Sequence, residues 1–564
     1  MPQAPQDHDV AAHTNKTYPY RGQIFSSLIT ATLAATFAVR SLFTSERTQE
    51  NRLSVQAEYA TLFGRSFYAF LATPISFFLP KLVIFYFTPE KNETGITAGG
   101  NYSHEDNVEI IQPKTSQELA TQVKNAINEG RKIIPMGAGR SQGQQFIPVT
   151  DGDKKPLIVD LRQMNDVRVN TEDKDKPYAW VGAGTLWSKL QVEASKQGAA
   201  IKVMQASNVF SVGGSIGTNI HGWDYHAGML YNCIEVMEIV DANGYIRLLD
   251  PTKEADVNLF NMINGGYGLY GIVTCVKMKL AINENLTRET VDVAPSEYLD
   301  YFNRELRHDE SKVLHLYRLS LDPNAPLSQG FTETYARTDG QPVIQENLDT
   351  EPEKGTRFQR VMINVARRFP WAVRLWWNNE HQEFLDEHPT ATRNEIMQAP
   401  INAMFNSSVS EGEWLQEYFI PGESLADFLN EFGTILKDSQ VALLNATVRF
   451  VKQNDKNPLS YAHDGDRFAV VICFNQSLQP EKIIQAKKWL RQAQKLSVEK
   501  GGSYYLPYQH VSSPEVFERS YPHAQKARDF KQAIDPNNHF ASGLHKTFLA
   551  QKPTSAPPIH SSSD

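Results

Sequence analysis

An α+β fold is the class this sequence predicts, and two observations carry it. From Val108 onward, short runs rich in Val and Ile alternate with segments whose apolar residues recur at helical spacing. Glycine-rich loops then interrupt the first part of that alternation: Gly137-Ala-Gly-Arg-Ser-Gln-Gly143, Ser211-Val-Gly-Gly-Ser-Ile-Gly-Thr-Asn-Ile-His-Gly222 and Asn264-Gly-Gly-Tyr-Gly-Leu-Tyr-Gly-Ile-Val273. Glycine lets backbone N–H groups approach an anionic oxygen where any Cβ would collide. A strand that breaks into glycines with an arginine among them therefore reads as a phosphate cradle. The first loop is Gly-x-Gly-x-x-x-Gly, which is not the dinucleotide fingerprint, and no P-loop Lys-Ser/Thr pair follows it.

Composition limits the function classes. A chain of 564 residues, 41% hydrophobic and 21% charged, is long enough for two or three domains with full cores. The net charge of −8, with no concentrated basic stretch, excludes nucleic acid as the main partner. Cys233, Cys275 and Cys473 lie far apart without paired spacing, which reads as thiols in a reducing compartment. His221 and His226 share a glycine loop without metal-ligand spacing, so no metal is expected.

In order, residues 1–22 form a polar tail, and residues 23–89 hold two apolar stretches. Gln23 to Val39, bounded by Arg21 and Arg40, is near the lower length limit for a spanning helix. Ser66 to Phe87 contains Pro74, Pro80 and Lys81, which suit a kinked or interface-lying helix. They predict an N-terminal membrane-associated helical segment with the catalytic body on the cytoplasmic side; soluble helices packed on that body are the alternative. Residues 90–107 read as a linker and 108–282 as the first domain. In it, Val108 to Ile111, Lys132 to Met136 and Leu157 to Leu161 are strands, and Thr115-Ser-Gln-Glu118 is a capping box. Thr185 is placed as the N-cap of a further helix, and Ala242-Asn243-Gly244 turns a hairpin between Ile234 to Val240 and Tyr245 to Leu249. Residues 283–502 form a second domain with helices at Arg357 to Phe369 and Glu423 to Lys437. Residues 503–549 make a C-terminal piece, and the Pro- and Ser-rich residues 550–564 are expected to be disordered.

The three loops, with Ala179-Trp-Val-Gly-Ala-Gly-Thr185 between the first two, resemble the flavin domain of the vanillyl-alcohol oxidase superfamily, also called the p-cresol methylhydroxylase type. Within it, Gly139-Arg-Ser141 with Gly143, Gly213-Gly214 and Asn219-Ile-His221-Gly222 resemble most the decaprenylphosphoryl-ribose oxidases, and more loosely the alditol and sugar-lactone oxidases. The resemblance implies a two-lobed FAD-binding domain, an α+β substrate domain, and a C-terminal Asp535-Pro-x-x-x-Phe540 segment that returns to the flavin domain. It implies FAD contacts from Gly137, Ala138, Gly139, Arg140, Ser141, Gln142 and Gly143; from Ala206, Ser207, Ser211, Gly213, Gly214, Thr218, Asn219, Ile220, His221 and Gly222; and from Gly266, Gly271 and Val273. Covalently flavinylated relatives carry a histidine where this chain has Arg140, which cannot form that bond, so a non-covalent FAD is expected. His221 is either beside the flavin ring or a satisfied loop histidine.

On the substrate side, Glu417-Tyr-Phe-Ile-Pro421, Asn445-Ala-Thr-Val-Arg449 and Val470-Val-Ile-Cys-Phe-Asn475 resemble the substrate-facing strands of alditol and lactone oxidases. This makes Glu417, Asn475 and Arg449 candidates, with an ordinary Arg449–Glu417 ion pair as the alternative. Where the relatives carry a lysine after a double glycine, this chain has Tyr508. Tyr508 and nearby Tyr505 are therefore candidates for the base or for packing. The activity implied is oxidation of a hydroxyl-bearing carbon of a sugar, polyol or lipid-linked sugar by hydride transfer to flavin. A flavin-dependent reductase of a carbon–carbon double bond and a non-catalytic flavin-fold binding protein are the other readings.

Overall fold

The computed structural model describes residues 96–97, 104–105, 107–149, 154–338, 340–349, 366–398 and 410–550. The polar tail, both N-terminal apolar stretches and the C-terminal tail lie outside the described residues, so the expected membrane segment does too. Among the described residues no helix is long and apolar enough to cross a membrane.

A small parallel sheet opens the catalytic body: β1 (Glu109–Ile111), then helix α1 (Ser116–Asn128), β2 (Ile133–Met136) and β3 (Leu157–Asp160), with β3 in the middle. Helix α1 starts at Thr115, whose side chain accepts from the Glu118 N–H at 3.2 Å, while the Glu118 carboxylate accepts from the Lys114 N–H at 2.9 Å. Its Leu119, Ala120, Val123 and Ala126 are buried.

A six-stranded antiparallel sheet follows. Its elements are β4 (Val167–Asn170), β5 (Tyr178–Gly182), α2 (Trp187–Ser195), β6 (Ala199–Ile201), α3 (Val212–Thr218), β7 (Ile234–Val240), β8 (Ile246–Leu249), α4 (Glu254–Ile263) and β9 (Ile272–Ile282). The strand order is β8-β7-β9-β5-β4, with β6 paired to the end of β9. The β7–β8 hairpin turns at Gly244, where φ is +76°, and the Asp241 carboxylate accepts from the N–H groups of Asn243 and Tyr245. Thr185 is not the cap of α2: Leu186 holds that position, and the buried Thr185 hydroxyl has no hydrogen-bond partner.

The second lobe is an eight-stranded antiparallel sheet backed by helices. In chain order it has β10 (Asn285–Glu289), β11 (Lys312–Leu319), β12 (Gly330–Arg337), α5 (Pro370–Asp386), β13 (Thr390–Thr392), β14 (Glu411–Ile420), α6 (Leu425–Asp438), β15 (Ala442–Val451), β16 (Arg467–Ser477), α7 (Pro480–Glu499) and β17 (Ser503–Tyr504). The spatial order is β13-β10-β12-β11-β15-β16-β14-β17. Helix α6 lies where the sequence placed one. The helix expected at Arg357 to Phe369 falls largely outside the described residues, and α5 begins later, at Pro370, with proline in the first turn where its missing N–H costs nothing.

Two devices hold the body together. Arg393, buried on the second lobe, donates to the Ile201 and Lys202 carbonyls at 3.1 and 2.8 Å and pairs with buried Asp224 at 2.8 Å. The C-terminal segment comes back to β2, where the Ile133 N–H donates to the His539 carbonyl at 2.7 Å. Asp535 shapes that return by accepting from the N–H groups of His539 and Phe540 at 2.9 Å, and Lys531 ties it to the Leu269 carbonyl at 2.8 Å.

Burial pushes His315 down to about 3 and His510 and His545 to about 4. Their folded values lie below the ordinary histidine value of about 6.5, so the unfolded chain binds protons first as pH falls. The stability they contribute is present above pH ~6.5 and should drain away between ~6.5 and ~4. Thermal melting of the protein across this range checks it; a melting temperature that stays flat from pH ~6.5 to ~4.5 contradicts it.

Candidate active site

The first two glycine loops are built against each other. Strand β2 ends in Gly137, where a Cβ would lie 2.0 Å from the Ser211 hydroxyl, and that hydroxyl accepts from the Ala138 N–H at 3.0 Å. Gly139 has φ of +67°, and a Cβ there would meet nothing closer than Met136 Sδ at 3.6 Å, so its backbone faces open cleft. In the second loop, Gly213 packs on Ala183, to whose carbonyl its N–H donates at 2.8 Å, while Gly214 and Gly217 stay open beyond Ser211 and Gly268. The third loop closes the wall with Gly265, Tyr267, Gly268 and Gly271 at positive φ; Tyr267 is a strained choice for that region, and its N–H donates to the Gly217 carbonyl at 2.8 Å. The backbone of these loops faces a cleft of about 270 Å3, a cradle that added Cβ atoms would fill.

The opposite wall comes from the second lobe. Side chains alternate along a strand, so Leu415 and Glu417 on β14, Val471 and Cys473 on β16, and Asn445 and Arg449 on β15 all face the cleft. Tyr505 and Tyr508 close it from the segment after β17, with ring centroids 5.7 Å apart, and the Tyr505 hydroxyl donates to the Thr218 carbonyl at 2.8 Å.

Glu417 is the centre of this wall. His221 Nε2 hydrogen-bonds its Oε1, both side chains are buried, and His221 Nδ1 has no partner. The His221 ring is held edge-on by Phe419 and Tyr461, at 5.7 and 6.1 Å. Burial raises the Tyr508 phenol well above its ordinary value, and the negative charge of the neighbouring Glu417 raises it further. Burial lowers the Arg449 guanidinium while Glu417 acts in the other direction; its Nε is buried without a partner. Among the described residues Glu417 pairs with His221 and makes no ion pair with Arg449, so the simple Arg449–Glu417 bridge is not formed. The arrangement offers a carboxylate that can take a proton, a phenol that keeps its own, and a cationic fork facing open space.

The cleft gathers most of the residues singled out from sequence: Gly137 to Gln142, Ala206, Ser207, Ser211, Gly213, Gly214, Thr218, Ile220, His221, Gly266, Gly271, Val273, Glu417, Arg449, Tyr505 and Tyr508. It does not gather Gly143, Asn219, Gly222 or Asn475. Gly143 binds the Pro507 carbonyl through its N–H at 2.8 Å. Asn219 spends its side chain on its own loop, accepting from the Tyr231 N–H at 3.1 Å, and Gly222 packs on the Met204 backbone. Asn475 lies one step beyond Cys473 on the same strand face, 3.4 Å from Arg367, which pairs with Glu413. Tyr267, Gln205 and Cys473 line the cleft and were not singled out. Counting every second residue along β16 from Val471 would have found Cys473; the left-handed tyrosine has no signal in the sequence.

Comparison with known proteins agrees with this division. Residues 109–250 match an FAD binding domain, and residues 350–548 match the model described as D-arabinono-1,4-lactone oxidase. Decaprenylphosphoryl-β-D-ribose oxidase of Mycolicibacterium smegmatis is 23% identical over 466 residues, 77% of this chain and 93% of that protein. L-gulonolactone oxidase of Mus musculus is 22% identical over 78% of this chain and 94% of its own. D-arabinono-1,4-lactone oxidase of Eremothecium gossypii is 28% identical over 32% of this chain and 34% of its own.

Gly137→Val and Gly139→Val test the cradle. The first drives a side chain into Ser211; the second forces a branched residue into positive φ at the cleft surface. Each variant should purify with less than about a tenth of the wild-type FAD while keeping its far-ultraviolet dichroism. A full flavin complement in either would remove that loop from the binding site.

Proposed function

The chain belongs to the FAD-linked oxidoreductases of the p-cresol methylhydroxylase type, and from that premise we propose that it oxidises a hydroxyl-bearing carbon of a sugar, sugar lactone, polyol or lipid-linked sugar, with Glu417 receiving the hydroxyl proton. The glycine cradle fits a dinucleotide, and FAD held there supplies the acceptor for the hydride that leaves the same carbon. The observation that carries the reading is the buried Glu417 carboxylate, hydrogen-bonded to His221 and facing the same cleft as the glycine loops and Tyr508.

The geometry assigns roles within the chain. As the carbon–oxygen double bond forms, the hydroxyl proton passes to Glu417, and His221 Nε2 holds that carboxylate in place. Tyr508 is a poor base, because burial and the adjacent carboxylate keep its phenol protonated. Arg449, charged and without an ion-pair partner among the described residues, offers its planar fork to substrate oxygens.

Anaerobic mixing with a panel of sugars, sugar lactones and polyols should bleach the flavin. Bleaching by a nicotinamide cofactor alone would favour a double-bond reductase. With the substrate so found, Arg449→Met removes a charge-assisted hydrogen bond, on the order of 1.5–3 kcal/mol, and should slow flavin reduction roughly ten- to a hundredfold. Tyr508→Phe, which leaves the base intact, should slow it no more than about tenfold. A loss near 10³-fold in Tyr508→Phe would return the base to that tyrosine.

FAD is held non-covalently in this account, since Arg140 stands where the covalently flavinylated relatives carry a histidine. Acid denaturation should release all the yellow colour, and colour left on the precipitate would contradict it. Membrane association, with the body on the cytoplasmic side, is proposed from the apolar character of Gln23 to Val39 and Ser66 to Phe87. Removing residues 1–89 should move the protein to the soluble fraction; a truncated chain that still sediments with membranes would overturn this.

A further inference from the structure

Gln142 lines the cleft, and both ends of its carboxamide are also engaged by protein groups. It is buried, and its Nε2 donates to the Glu413 carbonyl at 2.7 Å while its Oε1 accepts from the Leu415 N–H at 2.7 Å. Binding the carbonyl of one residue and the N–H of the residue two further on is the pattern that one residue of a parallel strand makes along its neighbour, through its own N–H and C=O. The carboxamide of Gln142 therefore stands in for a missing strand residue opposite Trp414. The β17 strand pairs only with Tyr418 and Phe419, which leaves this stretch of the β14 edge to it.

The same amide is tied to the C-terminal segment. Gln142 Oε1 also accepts from Gln509 Nε2 at 3.1 Å, and Gln416 Nε2 donates to Gln509 Oε1 at 2.6 Å. The N–H groups of Gln142 and Gly143 donate to the Pro507 carbonyl at 3.1 and 2.8 Å, and Gln145 Nε2 donates to the Leu506 carbonyl at 2.6 Å. Three separate stretches of chain thus meet at one buried carboxamide: the first glycine loop, the strand carrying Leu415 and Glu417, and the segment carrying Tyr508. An unmatched amide here would leave buried polar groups on two of the three, so the contact has one satisfactory geometry.

We propose that Gln142 is a positioning residue that couples occupancy of the FAD cradle to the placement of Glu417, by serving as a one-residue extension of the substrate-lobe sheet. The proposal rests on the reading that the glycine loops hold FAD, but not on which substrate is oxidised. Ordering of the first loop around FAD fixes the Gln142 side chain. The side chain then fixes the backbone at Glu413 and Leu415, the residue two before Glu417 on the same strand face.

Amide hydrogen exchange of the full-length protein, with and without FAD, tests this without any turnover. In the wild type, FAD should slow exchange in peptides spanning 411–417 at least tenfold, along with those spanning 136–143. In Gln142→Leu, FAD should still protect 136–143, but 411–417 should exchange at the rate of the FAD-free protein. Gln142→Glu keeps both acceptor bonds and turns the donor to Glu413 into an oxygen that repels that carbonyl; it should weaken the protection of 411–417, and it decides the matter if Gln142→Leu does not fold. Gln509→Leu leaves the Glu413 and Leu415 bonds intact and should retain the coupling. FAD-linked protection of 411–417 in Gln142→Leu equal to wild type would overturn the proposal, as would its absence in the wild type. Failure of the wild type to bind FAD would count against the cradle itself.

Discussion

A buried carboxylate is costly unless it is paired, and Glu417, held by His221 with Tyr508 close by, is such a carboxylate. Its partners come from far apart in the chain: His221 from the second glycine loop, Tyr508 from the segment after the last sheet strand, and Glu417 from β14. The site therefore exists only when both lobes and the C-terminal return are in place. The rest of the body can be read as the means of holding those three stretches together.

The flavin side is built by backbone and the substrate side by side chains. Gly137, Gly139 and Gly214 are required because neighbouring atoms or open cleft occupy the space a Cβ would take. On the other wall, the antiparallel register of β14, β15 and β16 puts Glu417, Arg449 and Cys473 on one face, and the long paired strands make that face rigid. Arg393 with Asp224 joins the two lobes with buried charge, and Lys531 with Asp535 ties the C-terminal return to the Leu269 carbonyl of the third glycine loop.

The glycine loops, the β7–β8 hairpin and helix α1 were legible from sequence because each rests on local chemistry: positive φ, an Asp-initiated turn, a threonine cap. Thr185 was misread as a cap because a threonine before a helix satisfies the local rule, whereas here tertiary packing buries it and the chain starts the helix later. Asn475 and Cys473 show the limit of strand patterns. Both face the same way, but only the position along the strand decides which one reaches the cleft, and Arg367 occupies the neighbourhood of the other. Tyr508 was rightly noticed but its role depended on burial and on the carboxylate beside it, neither of which is visible in one dimension.

The central claim is that Glu417 takes the substrate proton. Single-turnover flavin reduction in Glu417→Gln, followed anaerobically, addresses it most directly, because the change keeps shape and removes the basic oxygen. The account predicts an intact flavin content and a loss of about 10²-fold or more in reduction rate. A Glu417→Gln enzyme that reduces its flavin within about threefold of the wild-type rate would contradict it.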